Sequence, residues 1–147
     1  MKRRQSLFIS STAIFDYYEY SHALKEIAWI FIEAEQTYGI NAFILSAIAS
    51  WESDYGRSWR AVNTNNYLGW GVTSPSAEGI NASSPYENIM GAAKFLRAEY
   101  LTEGGLYYNG LSTWGISRHY CNPSEEWRIG VNSIAKNYEW IFKHLYL

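Results

Sequence analysis

The sequence predicts a mainly α fold of the α+β kind, with about five helices around a buried central helix and one small β-hairpin. Three observations predict it. Residues 42–50 are all Ala, Phe, Ile, Leu or Ser, and a helix without a polar face belongs inside a core. Apolar residues recur at helical spacing both before and after that run. A glycine-punctuated stretch, Tyr67 to Ser83, is the one place where turn chemistry separates two short extended runs.

The elements follow in order. Met1 to Tyr20 has no clear period and reads as a loop or arm. Lys2-Arg3-Arg4 ahead of Leu7 to Phe15 faintly suggests a signal peptide. Ser10, Ser11 and Thr12 interrupt the apolar run, and no small-x-small cleavage site follows, which argues against one. Ser21 reads as an N-cap. Ala23, Ile27, Ile30, Phe31, Ala34 and Tyr38 form an apolar stripe behind it. Gly39 stops that helix, and Asn41 caps the buried one. So short a link makes the two helices packed neighbours.

Arg60 to Asn66 is polar and loop-like. Tyr67 to Thr73 suits a strand, Ser74 to Gly79 a turn, and Ile80 to Ser83 the partner strand. Ser84-Pro85-Tyr86-Glu87 is a helix start, with Ser84 as N-cap, Pro85 at the first position and Glu87 closing a capping box. Gly104-Gly105 ends this helix. A short helix spans about Leu111 to His119. Asn122-Pro123-Ser124-Glu125 starts the last one, where Trp127, Val131, Ile134, Tyr138 and Ile141 mark a long amphipathic stripe. No repeat or low-complexity linker divides the chain, so residues 1–147 read as a single domain.

Composition narrows the function. The 147 residues include 7 Trp and 13 Tyr. Flat aromatic faces stack on sugar rings, so the excess fits a carbohydrate binder; the competing reading is an aromatic-rich core. A net charge of −2 offers no basic field for nucleic acid. The single Cys121 excludes an intramolecular disulfide. Three scattered His residues show no metal-ligand spacing, so neither a metal nor a cofactor is expected. No stretch approaches the ~20 apolar residues of a membrane span, so no membrane partner is expected.

The buried helix runs into a carboxylate, Glu52. Desolvation and the negative end of the helix dipole both disfavour its ionised form, in the direction a general acid needs. The bland alternative is a solvated glutamate at a helix end. The surrounding words are Trp51-Glu52-Ser53-Asp54-Tyr55-Gly56-Arg57-Ser58 and then Asn65-Asn66-Tyr67-Leu68-Gly69-Trp70. This pair resembles the signature of endo-β-N-acetylglucosaminidases that cut peptidoglycan (glycoside hydrolase family 73, in the lysozyme-like superfamily). There, a buried helix ends in an E-S/T-x-x-G-x-S segment and an N-x-x-G segment follows. The resemblance covers roughly Ser21 to Pro123. It implies a lysozyme-like fold, a sugar-binding cleft and Glu52 as the catalytic acid.

The resemblance also suggests partners for Glu52. Hydrolysis of a glycosidic bond usually takes two carboxylates. Of the 14 acidic residues, Glu87 and Glu125 are explained by capping, and most others sit on expected solvated faces. Glu78 lies in the hairpin turn, where the family often carries a second acid; its alternative is an exposed turn residue. Asp54 ranks below it, because residues two apart on a helix do not face each other. Tyr120 precedes Cys121-Asn122-Pro123, and the family has an active-site tyrosine before a similar turn, here one residue shorter. The alternative for Tyr120 is a core position. Asn66, Tyr67 and Trp70 are candidates for substrate contacts, through an amide on an N-acetyl group and rings on a sugar. Arg57 and Ser58 are expected to brace the loop after Glu52.

The leading expectation is therefore a monomeric hydrolase acting on the glycan strand of peptidoglycan, after N-acetylglucosamine. The alternatives are a muramidase or lytic transglycosylase of the same superfamily, or a catalytically silent glycan-binding module. A start at Met1 without a convincing signal suits a phage or prophage endolysin that reaches the wall from the cytoplasm. A virion component or a domain of a secreted autolysin fits nearly as well.

Overall fold

A computed structural model describes residues 14–17, 19–71, 79–121 and 124–146. Among these residues the chain is mainly helical and contains no β-strand. A helical turn at 14–17 and a 3-10 segment, Glu19–Ile27, lead into α1 (Ala28–Tyr38) and α2 (Ala42–Ser53). Then come α3 (Trp59–Thr64), α4 (Pro85–Phe95) with a π-helical turn at Leu96–Tyr100, α5 (Thr113–Tyr120) and α6 (Ser124–Tyr146). About five helices were to be expected, and the described residues hold six α-helices besides the turn at 14–17.

The central helix follows its sequence signals. Gly39 takes the left-handed conformation (φ 70°), and its N–H donates to the Glu35 carbonyl at 2.8 Å. Asn41 Oδ1 accepts from the Ile44 N–H at 3.1 Å. Glu35, expected on a solvated face, instead reaches across to accept from the Ala42 N–H at 3.1 Å. Two orphan amides of the first α2 turn are thereby satisfied, one by a carboxylate on the favourable end of the dipole. Leu45, Ala47, Ile48 and Ala49 are fully buried. α1 packs on one side of α2 and α6 on another; α4 lies against α1, and α5 against α6. The stripe of α6 buries Trp127, Val131, Tyr138 and Ile141 into the same core.

Four expectations need correction. Ser21 does not cap a helix: its buried hydroxyl donates to the Phe15 carbonyl at 2.9 Å, tying the 14–17 turn to the 3-10 segment. The stretch from Arg60 to Asn66, expected as a loop, instead gives most of its residues to α3, which Ser58 Oγ caps by accepting from the Ala61 N–H at 3.2 Å. The capping box of α4 closes one residue early, with Glu87 accepting from the Ser83 N–H at 2.7 Å rather than from Ser84. The helix running from α4 ends at Tyr100, ahead of Gly104-Gly105. There Arg97 donates to the carbonyls of Tyr38, Gly39 and Leu101, joining this turn to the α1–α2 corner.

The expected β-hairpin is the fifth correction. Its tip, with Glu78, lies outside the described residues, as does the Asn122-Pro123 helix start. Its described arms are not strands. Gly69 (φ 71°) and Gly71 (φ 69°) are both left-handed, and two such residues in three break a pleat. The arms still meet through the Ile80 N–H on the Trp70 carbonyl at 2.8 Å.

Candidate active site

Glu52 occupies the last turn of α2, half-buried beside α6. Asp54 (φ 49°) and Tyr55 (φ 57°) are left-handed and turn the chain sharply away. Ser53 Oγ holds that turn by donating to the Ala49 carbonyl at 2.5 Å and accepting from the Gly56 N–H at 2.8 Å. Arg57 braces it from outside, through the Asp54 carbonyl at 3.1 Å and the Asp54 carboxylate at 2.9 Å. Asp54 is thus exposed and paired with Arg57. Glu103 is exposed as well.

The two carboxylate oxygens of Glu52 have different surroundings. Oε1 accepts from the indole N–H of Trp127 at 2.8 Å. Oε2 faces Gly69, where an added Cβ would come within 2.7 Å of it. Burial pushes the Glu52 carboxyl above the ordinary glutamate value, and the Trp127 hydrogen bond opposes part of that rise. A carboxyl raised in this way holds a proton at higher pH than a solvated one and can deliver it.

The loop carrying Gly69 is assembled from the residues of the Asn-Asn-Tyr-Leu-Gly-Trp segment. Asn65 is left-handed (φ 58°) and ends α3. Asn66 is buried, and its amide closes the loop on itself. Its Oδ1 accepts from the Trp70 N–H at 3.1 Å, and its Nδ2 donates to the Trp70 carbonyl at 2.8 Å. Asn88 of α4 donates to Asn66 at 3.4 Å and accepts from the Tyr67 N–H at 2.9 Å. Tyr67 is buried, which raises its hydroxyl pKa. Both residues therefore shape the loop from inside.

Tyr120, at the end of α5, donates its hydroxyl to the Leu68 carbonyl at 2.7 Å. Its ring lies 5.1 Å from that of Trp127, tilted by 34°. Burial first, and the nearby Glu52 charge second, hold the Tyr120 hydroxyl well above the usual tyrosine range, so it stays a neutral donor. Glu52, Gly69, Tyr120 and Trp127 thus form one contiguous group.

An open cleft of about 560 Å³ adjoins this group, lined by Leu68, Gly69, Trp70, Gly71, Phe95, Tyr100, Tyr107, His119 and Tyr120. Trp70 is half-exposed and meets Phe95 edge-on at 6.4 Å. Tyr107 bridges Phe95 at 6.4 Å and His119 at 5.4 Å. Such a wall offers flat apolar faces with polar edges, the combination a sugar ring requires. Among the described residues no cluster of His, Cys, Asp and Glu is arranged to hold a metal ion, and no helix is long and apolar enough to cross a membrane.

Sequence reasoning brings Glu52, Tyr120 and Trp70 to one side of the molecule but does not single out Trp127. In the sequence Trp127 is one more apolar position in the α6 stripe. Only its place in the first described turn, seven residues after Tyr120, hints at a shared site.

No family model matches the chain. Over 94 residues it is 36% identical to a protein of Streptococcus pneumoniae strain TIGR4 and, equally, to one of strain R6. Both carry the provisional name endo-beta-N-acetylglucosaminidase. The matched stretch is 63% of this chain but only 14% and 13% of those proteins, so the chain spans a small part of their length. The similarity is therefore to part of two proteins named as glycosidases.

Proposed function

We propose that this chain hydrolyses β-1,4 glycosidic bonds of bacterial peptidoglycan as an endo-β-N-acetylglucosaminidase of the lysozyme-like superfamily, with Glu52 as general acid. The observation that carries the reading is Glu52 itself. Its carboxyl is raised by burial, tied at one oxygen by Trp127 and bordered at the other by Gly69, at the edge of an aromatic cleft. The 36% identity to two proteins named as glycosidases supports the same class.

In this reading the glycan lies along Trp70 and the tyrosine wall. Glu52 protonates the bridging oxygen, and the C–O bond breaks with its electron pair on that oxygen. The oxocarbenium-like centre is then met by water that Glu78 activates, or by the substrate's own acetamido oxygen. Tyr120 holds the Leu68 carbonyl and so keeps the loop against Glu52.

Digestion of purified cell walls followed by mass spectrometry of the fragments tests the proposal. New reducing ends on N-acetylglucosamine are expected. Reducing ends on N-acetylmuramic acid would identify a muramidase, an anhydro sugar a transglycosylase, and binding without release a glycan-binding module. Glu78→Gln assayed with and without azide separates the two routes. A loss rescued by azide assigns Glu78 the second role, and an unchanged rate assigns it to the acetamido group.

A further inference from the structure

The neighbours of Glu52 bear on a narrower question, which of its two oxygens carries the transferable proton. Oε1 is occupied by a donor, since the Trp127 indole N–H points at it from 2.8 Å. A nitrogen that donates cannot also accept, so a proton on Oε1 aimed at Trp127 would meet another hydrogen. Oε2 lies against Gly69, so close that a Cβ there would come within 2.7 Å of it, and no donor among the described residues meets it. We infer that Trp127 is a positioning residue, whose indole N–H reserves Oε1 as an acceptor and so confines the transferable proton of Glu52 to Oε2, on the side of Gly69.

The same ring completes the arrangement from the other direction. Trp127 is fully buried and packs against Tyr120, whose hydroxyl holds the Leu68 carbonyl. Leu68 directly precedes Gly69. One indole therefore fixes one oxygen of the carboxylate and, through Tyr120, supports the loop that lies against the other. When the proton passes from Oε2 to a leaving oxygen, the carboxylate formed keeps its charge-assisted hydrogen bond at Oε1. Water then gives a hydroxyl to the substrate; its proton returns directly to Oε2 in the acetamido route, and where Glu78 takes it, Oε2 regains a proton from solvent. Among the described residues, Tyr120 is a titratable group that faces Glu52 across this site, and it remains neutral.

This inference rests on the catalytic reading of Glu52, but its first test does not require turnover. The isostere 3-benzothienylalanine at position 127 keeps the ring and its packing while sulfur replaces the N–H. Trp127→Phe serves as a second variant. The probe is the ¹³C carboxyl signal of Glu52 followed through a pH titration in the full chain, with Glu52→Gln used to assign it. Losing the N–H should move the Glu52 titration upward, since the bond favours the ionised form. On defined glycan fragments, kcat at the new optimum should fall about tenfold or more while KM stays within about twofold. The basic limb of the pH profile should move up with the titration. A structural role alone would lower the folded fraction without moving the titration. An unmoved titration, or a moved one with kcat at the optimum unchanged, would overturn the inference. If the parent chain turns over no glycan, the catalytic reading fails separately, and the titration still decides whether Trp127 governs the Glu52 proton.

Discussion

Ser50 Oγ of α2 and the Tyr138 hydroxyl of α6 lie 2.7 Å apart in the buried core, 88 residues apart in sequence. Ser50 also donates to the Ser46 carbonyl at 2.7 Å, so Tyr138 is the donor of the shared bond. Burial pushes the Tyr138 hydroxyl pKa far up, and it remains protonated at any ordinary pH. The two changes should therefore be unequal. Tyr138→Phe leaves Ser50 with its backbone partner and should cost about 0.5–1.5 kcal/mol; Ser50→Ala strands a buried phenol and should cost about 1–3 kcal/mol. Urea melts of both single variants and the double variant test the order. A larger loss for Tyr138→Phe would mean that the phenol finds another acceptor.

Glu52→Gln should lower glycan hydrolysis by about 10²–10⁴-fold, since the amide keeps the Trp127 contact but delivers no proton. It should also stabilise the fold at neutral pH. The folded-state pKa of Glu52 is raised above the ordinary 4.5, so between those two values the native state binds more protons than the unfolded chain. Native stability therefore falls as pH rises through that window, and the glutamine variant lacks this fall. At pH 7 it should therefore be the more stable of the two proteins and melt at the higher temperature. Below pH 4.5 the difference should close. Calorimetry of both proteins at two pH values tests the sign.

Gly69→Ala should damage both stability and turnover. The left-handed backbone (φ 71°) disfavours any Cβ, and this one would press on Glu52 Oε2. A loss of about 1–3 kcal/mol is expected, with a fall in kcat beyond what the lost folded fraction explains. Gly130→Ala is the matched control. Its Cβ would run into the Trp51 ring, so α2 and α6 would be forced apart. That variant should lose stability while turnover per folded molecule changes less.

Trp70→Ala should weaken glycan binding more than it weakens the fold. The ring is half-exposed, touching Phe95 edge-on and the helix surface at Gly91. Truncation should cost less than the ~3–5 kcal/mol of a fully buried tryptophan. Thermal melting beside a glycan-binding isotherm tests the split. A large drop in Tm with unchanged affinity would assign the residue to the core.

The legible parts of the sequence were those where one residue type admits one geometry. Gly39 ends α1 and Asn41 starts α2, Ser84-Pro85 starts α4, and the spacing from Trp127 to Ile141 gives α6 its buried face. Trp59–Thr64 gives no such signal, because six residues are too few to show a helical period. The Ser21 hydroxyl looked like a cap because its real acceptor, Phe15, lies upstream in an aperiodic stretch. At the site, Glu52 stood out because a carboxylate after an apolar run is improbable by burial alone. Trp127 did not, because periodicity counts an indole as apolar and is blind to its N–H. The Asn66 amide can meet a substrate or, as here, turn in and close its own loop, and sequence does not separate the two.

The all-apolar character of α2 also has a consequence for the order in which the chain is made. On the ribosome, residues 42–53 emerge long before the 23-residue helix that covers them, Ser124–Tyr146. The α1–α2 corner likewise waits for the Arg97 guanidinium that ties its carbonyls. Until residues 124–146 are out, the nascent protein carries a helix with no polar face and no partner for one side. Nascent chains stalled before residue 124 should therefore be bound by holding chaperones or aggregate, and this burden should vanish only when α6 has been completed.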